Sequence, residues 1–183
     1  MTYTLHRMRK RHLLTAVAAA IALVAATPVV ATAQPPGPGW EKITFGSVTN
    51  PAGDVCSFTL RGEPVSQDVW FKTISAYPDG SPKSQVFVGP LFYRFTNVES
   101  GASSVEDLSG DAVINTAPDG TQTWYVVGPF SVGFHAGNPY RAPGELVLDG
   151  ATKLILHPGH VAEVTAHHGP TTDVCAKLSG GSG

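Results

Sequence analysis

From residue 34 onward, no stretch of ten or more residues carries apolar side chains at the 3.6-residue spacing of a helix. In its place come short runs of β-branched and aromatic residues, cut by Gly, Pro, Asn and Asp. A chain punctuated in this way can build strands and turns but no long helix, so the expected class is all-β. The runs fall at 43–48, 55–61, 65–77, 85–98, 105–108, 112–116, 121–134, 146–148, 153–157, 160–167 and 172–178. Alternation is clearest in 55–61, which sets Cys56, Phe58 and Leu60 on one face against Ser57 and Thr59 on the other. Pro78-Asp79-Gly80, Ser109-Gly110-Asp111 and Pro118-Asp119-Gly120 supply turn chemistry between runs. Residues 135–144, with two prolines and two glycines, form the longest loop.

A partial repeat adds curvature to this picture. PDGSPKSQVFVGPLFYRF at 78–95 resembles PDGTQTWYVVGPFSVGF at 118–134, with Pro90 and Phe95 mapping onto Pro129 and Phe134. Each copy is a turn, a strand, a Gly-Pro break and a second strand. Proline has no N–H for the ladder, so Gly89-Pro90 and Gly128-Pro129 should be corners where a strand bends. Bent strands suit an antiparallel β-barrel or an orthogonal β-sandwich, here of about nine to eleven strands.

The first 33 residues follow another pattern. Arg7, Arg9, Lys10 and Arg11 precede an uncharged apolar stretch at 13–26, and Ala31-Thr32-Ala33 offers a small-residue cleavage site. That combination reads as a secretory signal peptide, removed on export. A spanning helix wants about 20 apolar residues, and Thr27-Pro28 interrupts this one, so no membrane span is expected after cleavage. The remaining chain divides into a Pro/Gly lead-in at 34–39, a single β domain at 40–178 and a flexible tail at 179–183. Four of the twelve basic residues lie in the leader, which leaves eight against fourteen acidic side chains, a net −6. A surface of that sign does not seek nucleic acid, whose phosphates require clustered Lys and Arg. The expected location is extracellular.

Cys56 and Cys175 are the only cysteines. In an oxidising compartment an even pair reads as a disulfide, here joining positions 119 apart. Two buried free thiols are the alternative, and two sulfurs do not fill a zinc shell. The bridge would tie an early strand to the last one, 172–178, with Asp173 and Lys177 near that strand's wet ends.

Several of these pieces occur together in a familiar way: Cys56-x-Phe58, Asn97-Val98-Glu99-Ser100-Gly101, Ser109-Gly110, Pro118-Asp119-Gly120, and the ending Asp173-Val174-Cys175-Ala176-Lys177-Leu178. The set resembles a group of small exported β-domain proteins of Gram-positive bacteria that has no established activity. The resemblance covers most of 54–178. It implies export, a β fold and the cysteine pairing, and it carries no catalytic residue.

Candidate chemistry is sparse. His157-Pro158-Gly159-His160 sets two imidazoles around a tight turn, and His167 and His168 follow. His160 and His167 would stand about 23 Å apart on an extended strand, at roughly 3.3 Å per residue. The four therefore do not share a metal, and solvated loop histidines are expected, with no metal or other cofactor assigned. Glu106 and Asp107 are paired acids of the kind glycosidases use, yet strand neighbours point to opposite faces. No G-x-S-x-G, H-E-x-x-H or Walker pattern is present in the sequence. Trp40, Trp70 and Trp124 would be a sugar-stacking platform or core plugs. The best ligand-loop candidates are His135, Asn138, Tyr140 and Arg141, because long loops on β scaffolds often carry function.

The expectation is thus an exported, non-enzymatic β-domain protein that binds a small molecule or an envelope component. The alternatives are an enzyme at a barrel mouth, using His135 with a carboxylate such as Asp149, and a purely structural surface protein. A cavity of roughly 300 Å³ or more favours a ligand, and a filled core favours the structural role.

Overall fold

The computed structural model describes residues 36–180. The expected signal peptide and its cleavage site, residues 34–35 of the lead-in and residues 181–183 of the tail lie outside the described residues. The strands come in consecutive pairs, each pair one run of chain bent near its middle. They are β1 (Glu41–Ile43) with β2 (Val48–Asn50), β3 (Leu60–Gln67) with β4 (Val69–Ala76), and β5 (Pro82–Val88) with β6 (Leu91–Asn97). Then follow β7 (Ser103–Asp107) with β8 (Asp111–Thr116), and β9 (Gln122–Val127) with β10 (Phe130–Phe134). The series ends with β11 (Gly144–Leu148) and β12 (Ala151–His157), then β13 (Val161–His168) and β14 (Thr171–Asp173). One half of every pair enters a seven-stranded sheet in the order β1-β4-β5-β8-β9-β12-β13. The other halves form a four-stranded sheet, β2-β3-β6-β7, and a three-stranded one, β10-β11-β14. All ladders are antiparallel.

The corners explain the architecture. Gly89-Pro90 and Gly128-Pro129 are the points at which β5 and β9 leave the large sheet, and Gly169-Pro170 is a third such step. A proline ends the ladder on its donor side, but its carbonyl still accepts. Pro90 O accepts from Asp68 N at 2.8 Å, Pro129 O from Gly110 N at 2.7 Å and Pro170 O from Asp149 N at 3.0 Å. Each bend is thereby clasped to the bend of the preceding run. The backbones approach so closely that a Cβ on Gly89 would stand 2.3 Å from Asp68 O, and one on Gly169 1.9 Å from Asp149 O. Only glycine fits there. The two repeat copies match in structure as well, since Asp79 and Asp119 each accept from the backbone N–H two residues on, at 2.9 Å.

Among the described residues, the outer strands β1 and β13 of the large sheet pair with no further strand, and β7 does not pair with β10. The barrel is therefore not closed, and the arrangement is an open, sandwich-like all-β fold. Among the described residues fourteen strands appear where the sequence reads eleven runs, because 43–48, 85–98 and 121–134 are each broken in two.

Two segments differ from expectation. Residues 55–58 form bends, and the ladder begins only at Leu60. Gly53 N–H turns back to Cys56 O, and Thr59 N–H is taken by the Glu99 carboxylate at 2.9–3.0 Å, so that stretch joins no sheet. Its alternation survives even so, for Cys56, Phe58 and Leu60 are buried and Ser57 is exposed. The last run is a strand only to Asp173, after which α1 (Val174–Leu178) takes over. Asp173 caps it by accepting from Ala176 N–H at 2.9 Å, while Val174 and Leu178, four apart, bury one face. Cys56 and Cys175 are disulfide-bonded, with Cα atoms 5.4 Å apart. The staple joins a turn to a helix rather than strand to strand.

The buried apolar side chains form two clusters. One gathers Val55, Phe58, Leu60, Phe95, Val147, Val174 and Leu178, and the other Val126, Phe134, Leu146, Leu148, Leu154 and Ala162. β11 separates them and is buried on both faces, Val147 facing the first and Leu146 and Leu148 the second.

Candidate ligand cavity

Between the large sheet and the two smaller ones lies a cavity of about 530 Å³. The period of two places Ile43, Val69, Phe87, Ile114 and Trp124 on its wall from the large sheet. Leu60, Tyr93, Phe95 and Phe130 line it from the other side. At one edge the segment between β1 and β2 contributes Phe45 and Gly46. Gln67 holds that segment as another strand would, accepting from Phe45 N–H at 2.7 Å and donating to Phe45 O at 3.0 Å. The Tyr93 hydroxyl also donates to Gly46 O.

Among the described residues the lining is mostly hydrocarbon, and its polar members are Asn50, Gln85, Gln122, Ser131 and Glu145, with no Lys, Arg or His. Glu145 is the unusual one. It belongs to β11, is only 6% exposed, and pairs in register with Gly133 of β10. A Cβ on Gly133 would come 2.9 Å from Glu145 Oε2, so the missing side chain makes room for the carboxyl. Among the described residues no Lys, Arg or His stands within salt-bridge distance of it. Burial pushes its carboxyl up to about 7, against a smaller pull downward from the Ser131 hydroxyl and from His135. Tyr93 is raised above its ordinary value too, by burial and then by the charge of Glu145 and Glu63.

The loop candidates lie away from the cavity. His135 Nδ1 stands 2.8 Å from Asp54 Oδ2 in a half-exposed pair, and that hydrogen bond holds the Asp54 carboxyl below its usual range. The carboxylate that His135 meets is thus Asp54, while Asp149 sits at an exposed corner, bonded through its backbone to Pro170. Asn138 folds its own loop by accepting from Tyr140 N–H at 2.8 Å and Arg141 N–H at 3.2 Å, and it donates to Ala162 O at 2.8 Å. Tyr140 stacks on His157, and the Arg141 guanidinium lies over the Phe134 ring. None of the four lines the cavity.

The remaining candidates scatter. His157 Nε2 meets Glu163 at 2.9 Å, and His167 Nδ1 meets Thr152 Oγ1 at 2.8 Å. His160 and His168 are exposed. Glu106 is buried and accepts from Lys177 Nζ at 2.6 Å, whereas Asp107 is exposed and caps Ser109 N–H, so the two do part to opposite faces. Lys177 therefore serves an ion pair on α1, not a strand's wet end. Of the tryptophans, Trp124 lines the cavity and Trp70 lies under Lys42.

Glu145 escaped the sequence reading. Its one signal is position, a single acid in the run Gly144-Glu145-Leu146-Val147-Leu148, every residue of which is buried. Compared with known protein families, curated proteins and solved structures, the chain matches none.

Proposed function

We propose that this is an exported, non-enzymatic protein whose task is to hold a small, largely apolar molecule between its sheets. The observation that carries the reading is the cavity of about 530 Å³. Protein interiors pack at crystal-like density and leave few voids larger than a water molecule. A space of this size falls inside the range typical of ligand pockets, roughly 300–1,000 Å³, and has their composition of apolar walls with a few polar groups. A purely structural role gives no reason for it to stay unfilled. The enzyme alternative has less support, because the His135–Asp54 pair is not part of the cavity lining. In the 135–144 loop, Asn138 accepts from Tyr140 and Arg141 N–H, and His135 is paired with Asp54.

The test is uptake of the neutral apolar dye N-phenyl-1-naphthylamine by the purified secreted form, followed by dye emission and by transfer from Trp124. Saturation at one dye per chain is expected. No uptake at micromolar dye overturns the proposal.

A further inference from the structure

A carboxyl at the wall of an apolar cavity, nine-tenths buried and, among the described residues, with no cation in salt-bridge distance and only the weaker pull of His135, is costly to charge where it stands. It becomes stable in one of two ways, by keeping a proton or by receiving a positive charge. The rest of the lining discriminates between ligand classes. One acid and no base face the space, so an anion such as a fatty acid would meet repulsion and find no counter-charge. The walls meanwhile present the rings of Phe45, Phe87, Tyr93, Phe95, Trp124 and Phe130, whose negative faces attract cations. Resting on the binding function proposed above, we infer that the cavity selects an amphiphilic organic cation. Its ammonium group pairs with Glu145 and its apolar body lies along the aromatic walls. Gly133 serves this arrangement by presenting no side chain to the carboxyl, and Ser131 beside it gives the ammonium a second oxygen to meet.

The experiment is calorimetric titration of the folded, disulfide-bonded protein at pH 8 with three matched probes: decylamine, decanol and decanoate, each below its micelle concentration. Decylamine is expected to bind at least tenfold more tightly than decanol, and decanoate least. In Glu145→Gln the amine should fall to the level of the alcohol, while decanol binding changes less than twofold. That retained alcohol binding also shows that the variant is folded. Equal affinity of the wild-type protein for amine and alcohol overturns the inference and leaves the apolar cavity function standing. Loss of the alcohol along with the amine in Glu145→Gln marks a structural role for the residue and likewise overturns it. Binding of none of the probes removes the cavity function itself.

Discussion

Glu145 is where one residue's ionisation should be visible in the stability of the whole chain. Its carboxyl titrates near 7 when folded, against an ordinary value of 4.5, so the folded state holds a proton that the unfolded chain releases. The contribution is complete below about 4.5 and is lost as pH rises through 7. A shift of that size corresponds to at most about 3.5 kcal/mol, since each pKa unit is about 1.4 kcal/mol. Asp54 works in the opposite sense, being depressed, and its contribution disappears only as pH falls below the ordinary aspartate value of 3.8. The two windows do not overlap. Glu145→Gln keeps the hydrogen-bonding shape without the charge. We expect it to be more stable than wild type at pH 8 by about 1–3 kcal/mol and close to it at pH 4.5. Urea midpoints at both pH values measure this, and parallel profiles for the two proteins would show that ionisation here is not coupled to folding.

At the scale of elements, the fold depends on corners and on one staple that clamps the chain's final turn. The disulfide holds α1 against residues 55–58, and both carry side chains of the first apolar cluster. Replacing both cysteines by serine is expected to cost about 2–5 kcal/mol. The loss should be local first: hydrogen exchange should quicken in α1 well before it does in β12 and β13, which belong to the other side of the core. Uniform acceleration would mean that the staple acts on the whole domain instead. Much of this level was legible in the sequence. Proline's missing N–H announces Gly89-Pro90 and Gly128-Pro129 as bends, and alternation finds the buried face of Cys56, Phe58 and Leu60. The third corner, Gly169-Pro170, has the same dipeptide without a Pro-Asp-Gly turn upstream, so the repeat does not reveal it. α1 is five residues long, too short for helical periodicity to register, and only Asp173 with the Val174/Leu178 spacing hints at it. Glu145 was illegible for a different reason. Its setting depends on Gly133, a neighbour only through the β10–β11 register, which the intervening loop fixes and local pattern does not encode. His135, Asn138, Tyr140 and Arg141 are polar loop residues; the partners His135 and Asn138 take, Asp54 and Ala162 O, are 81 and 24 residues away in sequence and so could not be read from local pattern.

For the molecule as a whole, the cavity lies beside a packed seam, because Val126, Leu154 and Ala162 of the large sheet are buried against Phe134, Leu146 and Leu148 of the three-stranded one. Long strands folded at glycine corners separate the two walls, and the open edges at β1 and β13 leave the large sheet uncommitted to closure. Such a scaffold should gain stability from whatever fills it. A ligand that binds only the folded state adds about 2.7 kcal/mol at a hundred times its Kd, and here it would also restore packing contacts that the void lacks. The same space can be occupied from within. Ala112 sits on β8 with its side chain in the cavity lining, between Phe87 and Val126 in the register. Ala112→Phe should project a ring into the void, leaving the unliganded melting temperature unchanged or raised by a few degrees, roughly what about 1 kcal/mol gives a domain of this size. It should also abolish the stabilisation that N-phenyl-1-naphthylamine confers on the wild-type protein. Thermal scans of both proteins with and without the dye decide the matter. If the variant is stabilised by the dye as strongly as the wild type, binding occurs elsewhere on the molecule, and the space between the sheets is not the seat of function.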